Sequence, residues 1–133
     1  MRVIALLTAG LILAGCAQFR AACPSGMREM WQAQLLFGRN VGASLGVGED
    51  DWQAFVTAEI APRFPGGFTV VDASGVWRSE GGSTVREPSK TVMIVAAAGG
   101  ETRARIDAVA AAYKLRFHQE AVGVIITPSC ASF

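Results

Sequence analysis

Two apolar rhythms alternate along this chain: one repeats every second residue, the other about every 3.6. Trp31, Ala33, Leu35 and Phe37 hold every second position, with Gln32, Gln34 and Leu36 between them, which predicts a half-buried first strand. The glycine-rich stretch from Gly38 to Gly48 reads as a loop. Glu49, Asp50 and Asp51 then place negative charge where a helix dipole favours it, and Trp52, Phe55, Val56 and Ile60 fall on one helical face. Pro62 disfavours helical backbone at Ala61 and closes that helix. After the turn Pro65-Gly66-Gly67, the segments Phe68 to Arg78 and Thr84 to Ala97 read as strands joined by a reversal at Ser79 to Ser83. The second of these is expected to be interrupted at Pro88, which has no N–H for a ladder. Gly99-Gly100 breaks the chain again. Ile106, Val109, Ala110, Tyr113 and Phe117 form the apolar stripe of a second helix, Glu101 to Glu120, on which Arg103 and Asp107 pair across one turn. Val122, Val124, Ile125 and Ile126 make the last strand, expected to end at Pro128.

The order is therefore β-α-β-β-α-β. An α+β ferredoxin-like sandwich accommodates it most simply, as a four-stranded antiparallel sheet with two helices on one face. In that arrangement the last strand lies beside the first and runs against it. The other face of the sheet is left open. Leu36 points there, and parts of the Lys90–Ala97 and Val122–Ile126 strands are apolar enough to predict a sheet-to-sheet homodimer.

The first residues follow neither rhythm. Met1-Arg2 is a short positive start, and Val3 to Ala14 is apolar apart from Thr8 and Gly10. A run of about a dozen residues is too short for a spanning helix, which needs roughly 20, and has the length of a signal-peptide hydrophobic region. It ends in Leu13-Ala14-Gly15-Cys16, which resembles a bacterial lipobox. The resemblance implies cleavage before Cys16 and acylation of that residue. Residues 1–15 would then be a lipoprotein signal peptide, 16–29 a lipidated linker and 30–133 a single domain held in the cell envelope by lipid. In a host with two membranes, Ala17 rather than aspartate after the cysteine points to the outer membrane, facing the periplasm. The alternative is an ordinary signal peptide cut near Ala17 or Ala22.

With Cys16 committed to lipid, Cys23 and Cys130 remain. An even pair in an exported chain predicts a disulfide. They flank the start of the first strand and the end of the last, which the fold brings together. One histidine, His118, and no paired cysteine spacing give no zinc motif.

Charge excludes one class of partner. The chain has 12 basic and 11 acidic side chains, and Arg2 lies in the leader, so the exported part is balanced and offers no basic stripe for nucleic acid. No cofactor motif is present either. Gly38, Gly42, Gly46 and Gly48 do not form G-x-G-x-x-G, no P-loop lysine follows, and Ala73-Ser74-Gly75 is not a nucleophile elbow.

The segments "LLFGRN", "WQAFVTAEIAPRFPGGFTVVDASGVWR", "VREPSK" and "YKLRFHQEAV" resemble a family of small exported bacterial proteins classed as a domain of unknown function. The resemblance covers residues 30–133 and implies a single compact envelope domain. It brings no catalytic residue, substrate or cofactor.

One constellation stands out. With a reversal centred on Gly81-Gly82, Trp77 would face Arg86 in a cation–π contact, and Arg78 would lie diagonal to Glu87, with Lys90 following. An aromatic flanked by arginines fits a binding edge for an envelope protein or a small ligand. The leading expectation is accordingly a small binding or structural module rather than an enzyme. The alternative is a small tautomerase- or isomerase-like enzyme using Glu59, Arg63 or His118 in a cleft.

Overall fold

Strand β1, Arg28–Gly38, buries Ala33, Leu35 and Phe37 and turns Gln32, Gln34 and Leu36 to the opposite face, as its alternation predicts. The computed structural model describes residues 22–78 and 81–133; the expected signal peptide and Cys16 lie outside the described residues. After β1 come a small hairpin, β2 (Asn40–Val41) and β3 (Ser44–Leu45), helix α1 (Glu49–Phe55), and strands β4 (Thr69–Arg78) and β5 (Thr84–Ala97). Helix α2 (Gly100–Phe117) and strand β6 (Gly123–Ala131) complete the chain. The sheet order is β4-β5-β1-β6, antiparallel throughout, with both helices on one face. This is the α+β ferredoxin-like sandwich expected from the element order.

Between sheet and helices lies a ring of aromatic side chains. Phe37 meets Tyr113 at 4.7 Å between centroids and Trp52 at 5.3 Å, and Phe55 meets Tyr113 at 5.0 Å, mostly edge to face. Such pairs add roughly 0.5–1.5 kcal/mol each beyond the area they bury. Ile60, Ile94, Ile106 and Val109 fill the space around them. α1 begins at its acidic triplet and continues as a π-helical turn, Val56–Ile60, before Pro62.

The disulfide expectation is met. Cys23 and Cys130 are bonded, with Cα atoms 5.6 Å apart, and Cys130 sits opposite Glu29 near the start of β1.

Four local expectations are corrected. The stretch from Gly38 to Gly48 holds the β2–β3 hairpin, turned at Gly42 with φ +63°. Pro88 does not interrupt β5. Its carbonyl accepts the Arg39 N–H, so its missing donor faces the side where β1 has already ended. Pro128 does not end β6, because β6 is an edge strand and tolerates a residue without an N–H. α2 stops at Phe117, short of Glu120, because His118 turns left-handed at φ +53° and its N–H bonds back to the Lys114 carbonyl.

Candidate functional site

The open face of the sheet is low where its residues are small. Ala73, Ser89 and Gly38 form one row across β4, β5 and β1, and Gly75 lies in the next row beside Glu87. Trp77 and Glu87 rise on one side of this floor. On the other side stand the β2 hairpin and the segment from His118 to Ala121. Together they enclose a cavity of about 620 Å³, within the range of small-molecule sites. A second hollow of about 240 Å³ lies against the disulfide, lined by Trp31 and Pro128 among others. It gathers fewer polar side chains.

Glu87 is the best-held polar group in the larger cavity. One carboxylate oxygen accepts the Trp77 Nε1–H at 3.1 Å, and the other accepts the Asn40 backbone N–H at 3.3 Å. The carboxylate sits directly over Gly38: a Cβ there would stand 2.9 Å from Glu87 Oε1 and would push the carboxylate from this position. The strap from Gly38 to Asn40 is itself fixed by α2 and the loop after it. Tyr113 donates its hydroxyl to the Gly38 carbonyl at 2.8 Å, and Gln119 Nε2 donates to the Asn40 carbonyl at 2.7 Å. Burial raises the Tyr113 pKa, so the hydroxyl remains a donor.

The proposed binding constellation is divided by the strand pleat. In the observed register Trp77 faces Val85, Val76 faces Arg86 and Arg78 faces Thr84. The expected Trp77–Arg86 contact is therefore corrected. A one-residue change in register puts Arg86 on the helix-bearing face, together with Arg78 and Lys90, while Trp77 and Glu87 share the open face. Arg78 and Glu87, expected on one face, lie on opposite ones.

Lys90 is buried, not an edge residue. Its ammonium is 2.5 Å from Asp72 Oδ1 and 3.0 Å from Glu49 Oε1, and lies 5.9 Å from the Trp52 ring centroid. Burial works to lower its pKa, but the hydrogen bonds to Asp72 and Glu49 outweigh that and raise it. Glu49, bonded by Lys90 and then Gln53, is correspondingly held below the ordinary carboxylate value.

Of the three residues considered for an enzyme, only His118 lines the cavity. Arg63 and Glu59 form an i,i+4 ion pair at 2.7 Å after α1. Sequence reasoning missed Gly38, Asn40 and Gln119, which hold Glu87 in place. The available signal was the glycine at the end of an otherwise regular strand, which marks a close approach.

The chain belongs to the family described as "Protein of unknown function (DUF3574)", whose model matches residues 32–133. No curated protein matches it. Among solved structures it is similar to a phage SAM lyase in complex with S-methyl-5′-thioadenosine, at 18% identity and a TM-score of 0.61, covering 86% of this chain and 95% of that one. The phage SAM lyase in its apo state gives 20% identity and 0.61, with coverages of 77% and 87%. CutA from Synechococcus elongatus gives 10% and 0.52, with 78% and 80%. At these identities the shared property is the fold. That fold, over most of the chain, is one an enzyme uses, which overturns the expectation of a binding or structural module rather than an enzyme.

Proposed function

We propose that this protein is an enzyme acting on a small molecule, of the lyase or isomerase kind, with its active site in the open-face cavity. The observation that carries this is the setting of Glu87, a carboxylate fixed by Trp77 and Asn40 at the wall of a cavity of about 620 Å³. A tautomerising isomerase moves a proton between the oxygen of an enol and carbon, or between two carbons, as the double bond shifts to match. A lyase takes a proton from carbon while a neighbouring bond breaks; the C–H pair becomes the new C=C bond and the broken bond's pair leaves with the departing group. Either step needs a positioned base and no redox partner. Glu87 is our candidate base, and His118 and Glu120 are the other titratable groups lining the cavity.

The first substrate to test is SAM (S-adenosylmethionine), because of the phage lyase whose fold this chain shares. The full chain is incubated with SAM and with a panel of keto–enol acids, and products are followed by mass spectrometry. Turnover that disappears in Glu87→Gln supports the proposal. Failure of every substrate, or activity that survives Glu87→Gln, counts against it.

We further infer an envelope location through lipid on Cys16, motivated by the run ending Leu13-Ala14-Gly15-Cys16. Intact mass of membrane-extracted protein is the test, and an unmodified Cys16 within a longer chain would refute it. Self-association through the open face follows from Leu36, Val71 and Ile125, each about half exposed on that face. A monomer at micromolar concentration in sedimentation would remove that claim.

A further inference from the structure

We infer that the cavity selects an organic cation, with the positive charge carried among carbon groups as in a sulfonium. The inference rests on reading the cavity as the active site. It starts from how the pleat sorts charge. Along β5, Arg86 and Lys90 are even-numbered and face the helices, while Glu87 is odd-numbered and faces the cavity. On β4, Arg78 is likewise turned away and Trp77 faces in. Arg39, next in sequence to the cavity residues Gly38 and Asn40, is engaged elsewhere: its Nε donates to the Val47 carbonyl at 2.8 Å, and its guanidinium lies 3.4 Å from Glu49. Lys90 is spoken for by Asp72 and Glu49. Among the described residues, the cavity lining therefore contains no lysine or arginine.

What the lining does contain is complementary to a soft cation. Glu87 supplies a fixed carboxylate, and its two hydrogen bonds already hold it in place, so binding need not order it. The indole of Trp77 is half exposed beside it, and indole is the strongest neutral side-chain partner for a cation. Small residues beside it, Ala73 and Ser89, keep the neighbouring floor low for the carbon groups around the charge. An anionic ligand would meet two carboxylates, Glu87 and Glu120, with His118 the one basic side chain in the lining.

Two adenosyl compounds isolate the charge. SAM has a sulfonium, and S-adenosylhomocysteine is the same molecule without one methyl group and that charge. Calorimetry with the full chain should find SAM bound at least about tenfold tighter. Raising salt from about 0.1 M to about 1 M shortens the screening length from about 10 Å to about 3 Å, and should narrow the ratio. Glu87→Gln should bring the ratio to about one. The salt series uses the unaltered protein, so it decides the matter even if that variant does not fold. Equal or reversed affinities, a ratio unchanged by Glu87→Gln, or no binding of either compound at millimolar concentration would overturn the inference. Cation preference without any turnover would sink the enzyme reading alone. Turnover of neutral substrates without cation preference would sink only this one.

Discussion

The Tyr113 hydroxyl reaches across the top of the core to the carbonyl of Gly38, 2.8 Å away, and so ties the aromatic cluster to the strap that seats Glu87. Tyr113 is the chain's only tyrosine. Because burial raises its pKa, the folded protein keeps it protonated at a pH where the unfolded chain, near the ordinary value of 10.0, ionises it. The folded state then holds more protons than the unfolded one, so stability falls as pH rises above about 10, by up to about 1.4 kcal/mol per unit from this group. Tyrosinate absorbance should accordingly appear together with loss of native circular dichroism, not ahead of it. Ionisation at pH 10 in a still-folded protein would contradict the burial assigned to Tyr113.

Tyr113→Phe keeps the ring contacts and removes only the hydroxyl. Loss of a hydrogen bond that leaves the Gly38 carbonyl short of a partner costs about 1–3 kcal/mol. The variant should also change the Trp77 indole N–H resonance, because Glu87 is held by the same strap. A stability loss with the Trp77 resonance unmoved would show that the strap does not set the position of Glu87.

Lys90 makes a different forecast. Its two carboxylate partners are well exposed, with side chains 53% (Glu49) and 84% (Asp72) accessible, while its own ammonium is buried. Lys90→Met leaves both carboxylates to water and fills the same volume, so the change in stability should stay within about 1 kcal/mol. Lys90→Ala leaves a cavity under β5 and should cost about 2 kcal/mol or more. The pH dependence has a definite sign. Glu49 is lowered in the folded state, so its contribution is present above its ordinary value of 4.5 and is lost as pH falls through and below it. Lys90 is raised, so its contribution is present below about 10.5 and lost above. Lys90→Met should flatten both limbs in urea titrations across pH.

The Cys23–Cys130 bond closes a loop with a sequence separation of 107. On the chain-entropy account, a loop of about that length stabilises by up to about 4.7 kcal/mol. Reduction should lower the melting temperature markedly while circular dichroism at room temperature stays native-like, since the bond joins β6 to the segment before β1 and not to the core aromatics. An unchanged melting temperature after complete reduction would remove that role.

The sheet, both helices and the disulfide were legible because each is written in a repeated or paired signal. Ala33, Leu35 and Phe37 mark a strand together; Ile106, Val109, Tyr113 and Phe117 mark a helix face; two remaining cysteines have only each other. The β4–β5 register carried no such redundancy. A reversal between Arg78 and Thr84 fixes the pairing only to within a residue, and a slip of one exchanges the faces. That slip separates Trp77 from Arg86; Lys90 faces the interior because it alternates in step with Val92 and Ile94 along β5. The cavity was harder still to read. Its floor is made by what Gly38, Ala73 and Gly75 lack, and its best polar group is held by a backbone N–H at Asn40, which no side-chain pattern announces.

The same division of faces decides what the hairpin variants should do. Trp77 is 49% exposed and its indole N–H holds Glu87 from the cavity side. Arg86 lies on the opposite face, exposed, with its neighbour across the strand being Val76. A buried aromatic replaced by alanine typically costs about 3–5 kcal/mol. Trp77→Ala removes a half-exposed ring and one hydrogen bond, so its cost should be well under that, about 1–2 kcal/mol. It should nonetheless weaken ligand binding in the cavity about tenfold or more, since it removes both a wall and a support of Glu87. Arg86→Ala should leave binding unchanged and stability within about 0.5 kcal/mol, as for surface positions generally. Paired calorimetry and urea unfolding on the two variants test this directly. If Arg86→Ala weakens binding as much as Trp77→Ala does, the ligand contacts the other face of the hairpin, and the site is not the cavity over Gly38.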